Sequence, residues 1–88
     1  MIHIRVFGSD TDREQYQVCL KRARLAAAQF EGNVDVSEHE AWGELAEELG
    51  IAGSPAVAVD DDIISVRSVP ATWHIIAAIE RRLGKETG

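Results

Sequence analysis

Apolar residues near the start of this chain alternate. Ile2, Ile4 and Val6 are separated by His3 and Arg5, a period of two that predicts a short strand. Gly8 breaks it. From about Asp12 to Phe30 the spacing changes: Tyr16, Cys19, Leu20, Ala23, Ala27 and Phe30 recur three and four apart, with Lys21, Arg22, Arg24 and Gln29 mostly off the stripe. That is the pattern of an amphipathic helix. Glu31-Gly32-Asn33 stops it, since glycine commonly follows a helix C-terminus. Val34 to Val36 predicts a second strand. Ser37 and Glu40 form S-x-x-E, the signature of a capping box. It predicts a helix with Trp42, Leu45, Ala46 and Leu49 turned inward and Gly50 at its end.

Residues 51 to 55 (Ile-Ala-Gly-Ser-Pro) read as a loop. Ala56 to Val59 and Ile63 to Val66 are two β runs, and Asp60-Asp61-Asp62 between them predicts a hairpin turn and antiparallel pairing. Pro70 suits the first turn of a last helix. Thr72, Ile76, Ile79 and Leu83 make its inward stripe, with Ile75 beside it and Gly84 at its end. The order is β-α-β-α-β-β-α. Two strands joined through a helix should be parallel, by a right-handed crossover. The expected architecture is therefore α/β: one mixed four-stranded sheet with helices on both faces.

The chain has 88 residues, 45% of them apolar. A domain of that size buries roughly 60–65% of its unfolded surface, so residues 1–88 are expected to form one domain with a small core, and 85–88 a frayed tail. No apolar run approaches the roughly 20 residues of a membrane helix. The N-terminus reads as a strand, not a signal peptide. One cysteine excludes an internal disulfide and a thiolate metal site built from this chain alone. Together these suggest a cytoplasmic protein. The net charge of −6 opposes binding to a phosphate backbone, which needs a dominant basic field. One basic helix face, around Lys21, Arg22 and Arg24, is left for an acidic partner.

Three stretches carry a resemblance. The first is Val6-Phe7-Gly8 followed by a polar turn and a long helix. The second is GIAGSPAVAV, residues 50–59. The third is the hairpin followed by VPATW, residues 69–73. Over nearly its whole length the chain resembles the thioredoxin fold, and in particular the small thioredoxin- or glutaredoxin-like proteins of prokaryotes. The resemblance implies a cis bond before Pro55. It also implies a groove formed by Ser9, Asp10, Thr11, Asp12, Ser54, Pro55 and the turn before Pro70. In that family the main chain before the cis-proline meets an extended peptide or glutathione by strand addition.

The family's reactive Cys-x-x-Cys aligns, through Gly8, with Thr11 and Glu14. Neither is a thiol, and disulfide exchange needs a thiolate attacking sulfur. Thr11-Asp12-Arg13-Glu14 instead reads as a capping box, with Asp12 favourably placed on the helix dipole. Cys19 shares the helix's apolar stripe and is expected in the core, as free cysteine usually is. A reactive thiol would need exposure and adjacent cations.

The remaining chemistry is sparse. His3, His39 and His74 lack the i,i+4 spacing of metal ligands. Residues 39–44 (HEAWGE) match H-E-x-x-H only superficially. The three aspartates at 60–62 are too few for a calcium loop and read as a solvated turn. Trp42 is expected in the core. Trp73 is expected at the core edge, or as a partner anchor if exposed.

The sequence thus points to a redox-inactive thioredoxin-like domain without a cofactor, acting as a binding, assembly or regulatory module. Its partner would be a protein or peptide, or a second copy of the chain. The alternative is a thiol- or glutathione-dependent oxidoreductase or transferase using Cys19, or Ser9/Thr11 as hydroxyls that polarise a bound thiol. Asp10, Asp12 and Glu14 argue against the latter, because nearby carboxylates raise a thiol pKa.

Overall fold

A computed structural model describes residues 1–87, with side-chain surroundings through Gly84. The elements are β1 (Ile2–Gly8), a 3-10 turn (Asp10–Asp12), α1 (Arg13–Ala28), β2 (Val34–Glu40), α2 (Glu44–Leu49), β3 (Ala56–Val59), β4 (Asp62–Val66) and α3 (Thr72–Thr87). The strands form one mixed sheet in the order β2-β1-β3-β4. β1 and β2 are parallel from Ile2↔Val34 to Gly8↔Glu40. β3 runs antiparallel to both β1 and β4, with a register irregularity at Val57/Ala58.

Strand alternation sorts the core into two layers. Ile2, Ile4 and Val6 of β1 and Val57 and Val59 of β3 face one way. They pack on Cys19, Leu20, Ala23 and Ala26 of α1 and Ile75, Ala78 and Ile79 of α3. Phe7, Ala56 and Ala58 face the other way, against Ala46 of α2 and Ile51. Helices therefore cover both faces. Burying each Val, Ile or Phe contributes about 1.5–3 kcal/mol, and most such residues lie in the α1–α3 layer. Among the described residues no helix is long and apolar enough to cross a membrane.

The largest departure from the sequence reading is at residues 37–40. Ser37 caps no helix there. Ser37 to Glu40 continue β2 and pair with Arg5 to Gly8. Ala41 extends the ladder by donating its N–H to Gly8 O at 3.0 Å, and the His39 ring stacks on Phe7 at 5.2 Å. A local cap is worth about 1 kcal/mol, less than four more ladder positions and a ring contact. α2 keeps only Glu44–Leu49 and ends at left-handed Gly50, φ 76°, a conformation that suits a residue without Cβ. Ala46 is buried on it, whereas Trp42 lies before it and is 70% exposed, not in the core.

Smaller corrections have the same physical basis. α1 starts at Arg13 after the 3-10 turn, stops at Ala28, and buries Ala26 as well. α3 starts at Thr72, two residues after Pro70, and Ala71 O accepts its first turn's bonds from His74 and Ile75. Of its expected stripe Ile79 is buried and Ile76 and Leu83 pack partly buried on the core, but the buried centre is Ile75, Ala78 and Ile79, with Thr72 outside it. Gly84 does not end it. The helix runs to Thr87, since one interior glycine costs only about 1 kcal/mol. The tail expected to fray is thus helical in backbone through Thr87, and Gly88 lies outside the described residues.

The hairpin turn is not merely solvated. The Asp60 side chain is only 17% exposed. It accepts from the His3 N–H at 2.9 Å and from Arg82 Nε at 2.8 Å. Asp60 N–H donates to His3 O, and Arg5 donates to Asp60 O. This turn therefore ties β1 and α3 to the β3–β4 hairpin.

Candidate functional site

The sheet's polarity collects four chain segments at one end. The C-termini of β1, β2 and β4 and the N-terminus of β3 all lie there. The segments leaving them are Ser9–Asp12, Ala41–Gly43, Ala52–Pro55 and Arg67–Ala71. Ser9, Asp10, Thr11, Asp12 and Ser54, singled out in the sequence, fall on two of these, whereas Glu14, Cys19 and the three histidines do not.

Gly8 makes the first turn possible. A Cβ there would run into the Tyr16 ring of α1, so the helix packs against the strand end only because the side chain is missing. Asp12 organises the turn between β1 and α1. Its Oδ1 accepts from the Ser9 N–H at 2.9 Å and from the Ser9 hydroxyl at 3.2 Å. Its Oδ2 accepts from the Ser54 hydroxyl. The Ser9 and Thr11 hydroxyls are 2.9 Å apart.

The capping role expected of Thr11 and Glu14 thus falls on Ser9 and Asp12. The reason is the intervening 3-10 turn. The chain first bends at Ser9, so the free N–H groups needing a carboxylate lie two residues earlier than T-D-R-E implies. Glu14 stands exposed, and Asp10 is exposed beside it. The Ser9-x-x-Asp12 spacing was the available signal, partly masked by the overlapping Thr11-x-x-Glu14 match.

Burial pushes the Asp12 carboxyl up. The Ser54 hydroxyl first, then the Ser9 N–H and hydroxyl, outweigh it and hold the group below its ordinary value. A carboxylate held ionised this firmly is a poor proton acceptor. Asp12, which accepts from the Ser54 hydroxyl, is therefore a poor base for activating it as a nucleophile.

The Ser54–Pro55 peptide bond is cis. Pro55 is buried and Ser54 half-buried. Pro55 O accepts from the Arg67 N–H at 2.8 Å, and the Arg67 side chain crosses Gly53 to donate to Ala52 O at 3.2 Å. Among the described residues the Ser54 N–H and C=O make no hydrogen bond. One strand-like donor and one acceptor are left open at the sheet's end. The resemblance carried by residues 50–59 points to the main chain before Pro55, whereas composition and spacing alone do not identify such a pair.

Cys19 lies apart from this. It is fully buried, its Sγ 4.0 Å from Ser68 O. Burial first, and Asp12 to a smaller degree, push its thiol up to about 11 despite the opposing Arg22. At neutral pH only about one thiol in ten thousand would be ionised. Arg22, half-buried, spends its guanidinium on Pro70 O at 3.0 Å, fixing the turn into α3.

The histidines do not converge. His3 sits 3.7 Å from Asp35. His39, on β2 rather than a helix, bonds Ser37 at 2.7 Å. Burial first, then Arg5, hold its pKa below the ordinary value. His74 stacks on Trp73, which is 71% exposed and so off the core edge. Among the described residues no three His, Cys, Asp or Glu side chains gather where a metal could be held. No family model and no curated protein matches this chain.

Proposed function

We propose that this chain is a redox-inactive thioredoxin-like domain that binds an extended protein segment at Ser54–Pro55. Support for the fold reading comes from the strand order β2-β1-β3-β4, with β1 and β2 parallel and β3 and β4 antiparallel. The function reading is carried by the open Ser54 N–H and C=O. They offer an incoming strand two main-chain hydrogen bonds, while the Ser54 hydroxyl is engaged by Asp12. Strand addition of this kind needs no thiol.

Thr11 and Glu14, at the positions where the resemblance implies a dithiol, carry neither sulfur nor a route for electrons. The test for redox inactivity is insulin reduction, alongside glutathione conjugation to a model electrophile, with catalytic amounts of protein. No turnover is expected in either. Turnover abolished by Cys19→Ser or Thr11→Ala would overturn the proposal and favour a thiol- or glutathione-dependent enzyme. Cytoplasmic localisation and self-association remain part of this proposal. Fluorescent tagging in cells and light scattering test them directly.

A further inference from the structure

Three rows of side chains cross the β1–β2 pair on the sheet face that carries α2. The parallel register sets His3 beside Asp35, Arg5 beside Ser37 and Phe7 beside His39. Partners in a ladder point to the same face, and neighbours along a strand alternate. Glu38 therefore points the other way, where it accepts from Tyr16 of α1 at 2.7 Å. Phe7 packs on Ala46 of α2. Ser37 and His39 are only half-buried, within reach of a small molecule.

On that face a hydroxyl meets a ring nitrogen. Ser37 Oγ lies 2.7 Å from His39 Nε2, the distance at which a nucleophile is activated by its base. Stacking on Phe7 at 5.2 Å orients the His39 ring. Burial first, then Arg5, favour the neutral ring, which has a nitrogen able to accept a proton. Asp35 lies 3.7 Å from His3, in another row. Among the described residues no carboxylate bonds His39, so Ser37 and His39 form a dyad and not a triad. Arg5 is anchored toward β3, donating to Asp60 O at 3.1 Å. Nothing beside Ser37 is placed to polarise an acyl oxygen, which is otherwise a large part of acyl-transfer catalysis. The leaving group must therefore supply the reactivity.

We propose that Ser37 is an acyl-acceptor site, modified by small activated acyl donors with His39 as its general base. Ser37 Oγ attacks the acyl carbon, and an Oγ–C bond forms as the hydroxyl proton passes to His39 Nε2. The bond from the acyl carbon to the leaving group breaks, and the leaving group departs with the electron pair. His39 then releases the proton to it or to solvent. The product is an O-acyl serine, with no change of oxidation state. Neither Ser54 nor Pro55 takes part, so this site stands or falls separately from the peptide edge proposed above.

The test treats the unaltered protein with p-nitrophenyl acetate at pH 7 and maps acetylated residues by peptide mass spectrometry over time. Ser37 is expected to be acetylated about a hundredfold faster than Thr11 or Ser54, the range that general-base assistance supplies. Ethyl acetate, with its poor leaving group, is expected to leave Ser37 unmodified. His39→Gln is expected to slow acetylation of Ser37 about a hundredfold, and Ser37→Ala to abolish the rapid release of p-nitrophenolate. Circular dichroism checks that both variants fold, and the map of the unaltered protein needs neither of them. Acetylation of Ser37 no faster than of Thr11 and Ser54, or a rate unmoved by His39→Gln, would overturn the proposal. So would rapid release that persists in Ser37→Ala with the acetyl group on His39, which would make the ring itself the nucleophile.

Discussion

Asp12 ties two other chain positions, Ser9 and Ser54, to the start of α1 through one carboxylate. It caps the 3-10 turn through Ser9 and reaches across to Ser54. Replacing it by alanine removes both, and a lost cap typically costs about 0.5–2 kcal/mol. Urea denaturation at pH 7 should show that loss. Its pH dependence is set by the depressed folded pKa. Asp12's ionic contribution is fully present above its unfolded value near 3.8 and is lost as pH falls through the lower folded value. The stability gap between wild type and Asp12→Asn should therefore close on going from pH 7 to about pH 2.5. A gap that widens in acid would mean that the carboxylate is not held ionised by these bonds.

Cys19 makes the contrasting case. Its place on the helical stripe was legible from spacing alone, because burial of a small apolar side chain needs only the right face. Full burial and a thiol pushed up to about 11 predict that iodoacetamide leaves the native protein unlabelled over hours. The same reagent should modify it promptly in concentrated urea. Prompt labelling of the native protein would contradict the described position of α1.

At the scale of elements, the strands with strict alternation or continuous apolar character were readable. β3 sits where Ala56–Val59 puts it, β1 begins where Ile2-Ile4-Val6 put it but runs through Gly8, which was expected to break it, and β4 differs by one residue. The failures came where a local signal met a stronger distant one. Ser37-x-x-Glu40 satisfies a helix-start pattern, yet those residues lie beside Arg5 to Gly8 and complete a seven-residue parallel ladder. Sequence spacing cannot register that, since the partner strand is some thirty residues away.

The Asp60 turn departs from its sequence pattern for a related reason. A run of three aspartates looks solvated, but one of them meets Arg82 of α3 and the His3 N–H. Asp60 also has φ 55°, which aspartate, asparagine and glycine tolerate better than other residues. Asp60→Ala should therefore destabilise the fold by roughly 1.5–3 kcal/mol, the range for hydrogen bonds to a charged group. Asp60→Asn should cost less, because it keeps the backbone conformation and one acceptor. Thermal unfolding of the two variants checks the order. Equal midpoints would mean that neither conformation nor charge at this turn matters.

Over the whole molecule, topology assembles the candidate site. Strand polarity brings the ends of β1, β2 and β4 and the start of β3 together. Ser9, Asp10, Thr11, Asp12, Ser54 and Pro55 then belong to neighbouring segments of one end of the sheet. The Asp12–Ser54 bond spans 42 positions in the chain, and no local pattern links those two residues. The Ser54 main chain was legible only through the resemblance of residues 50–59, and which of its groups the fold leaves without a partner is a property of the finished sheet. The exposure of Trp42 was not legible either. The helical spacing that puts that ring in a core belongs to a helix that does not form there.

The central claim is that Ser54 offers its main chain to an extended segment. The most direct measurement is an amide NMR map of the protein bound to a peptide selected from a random display library. We expect the Ser54 amide proton to move downfield, with intermolecular contacts from the Ser54 Hα to the peptide backbone, while Cys19 and its neighbours in α1 stay unperturbed. A library that yields no binder, or a bound peptide that leaves the Ser54 amide unmoved, would contradict it.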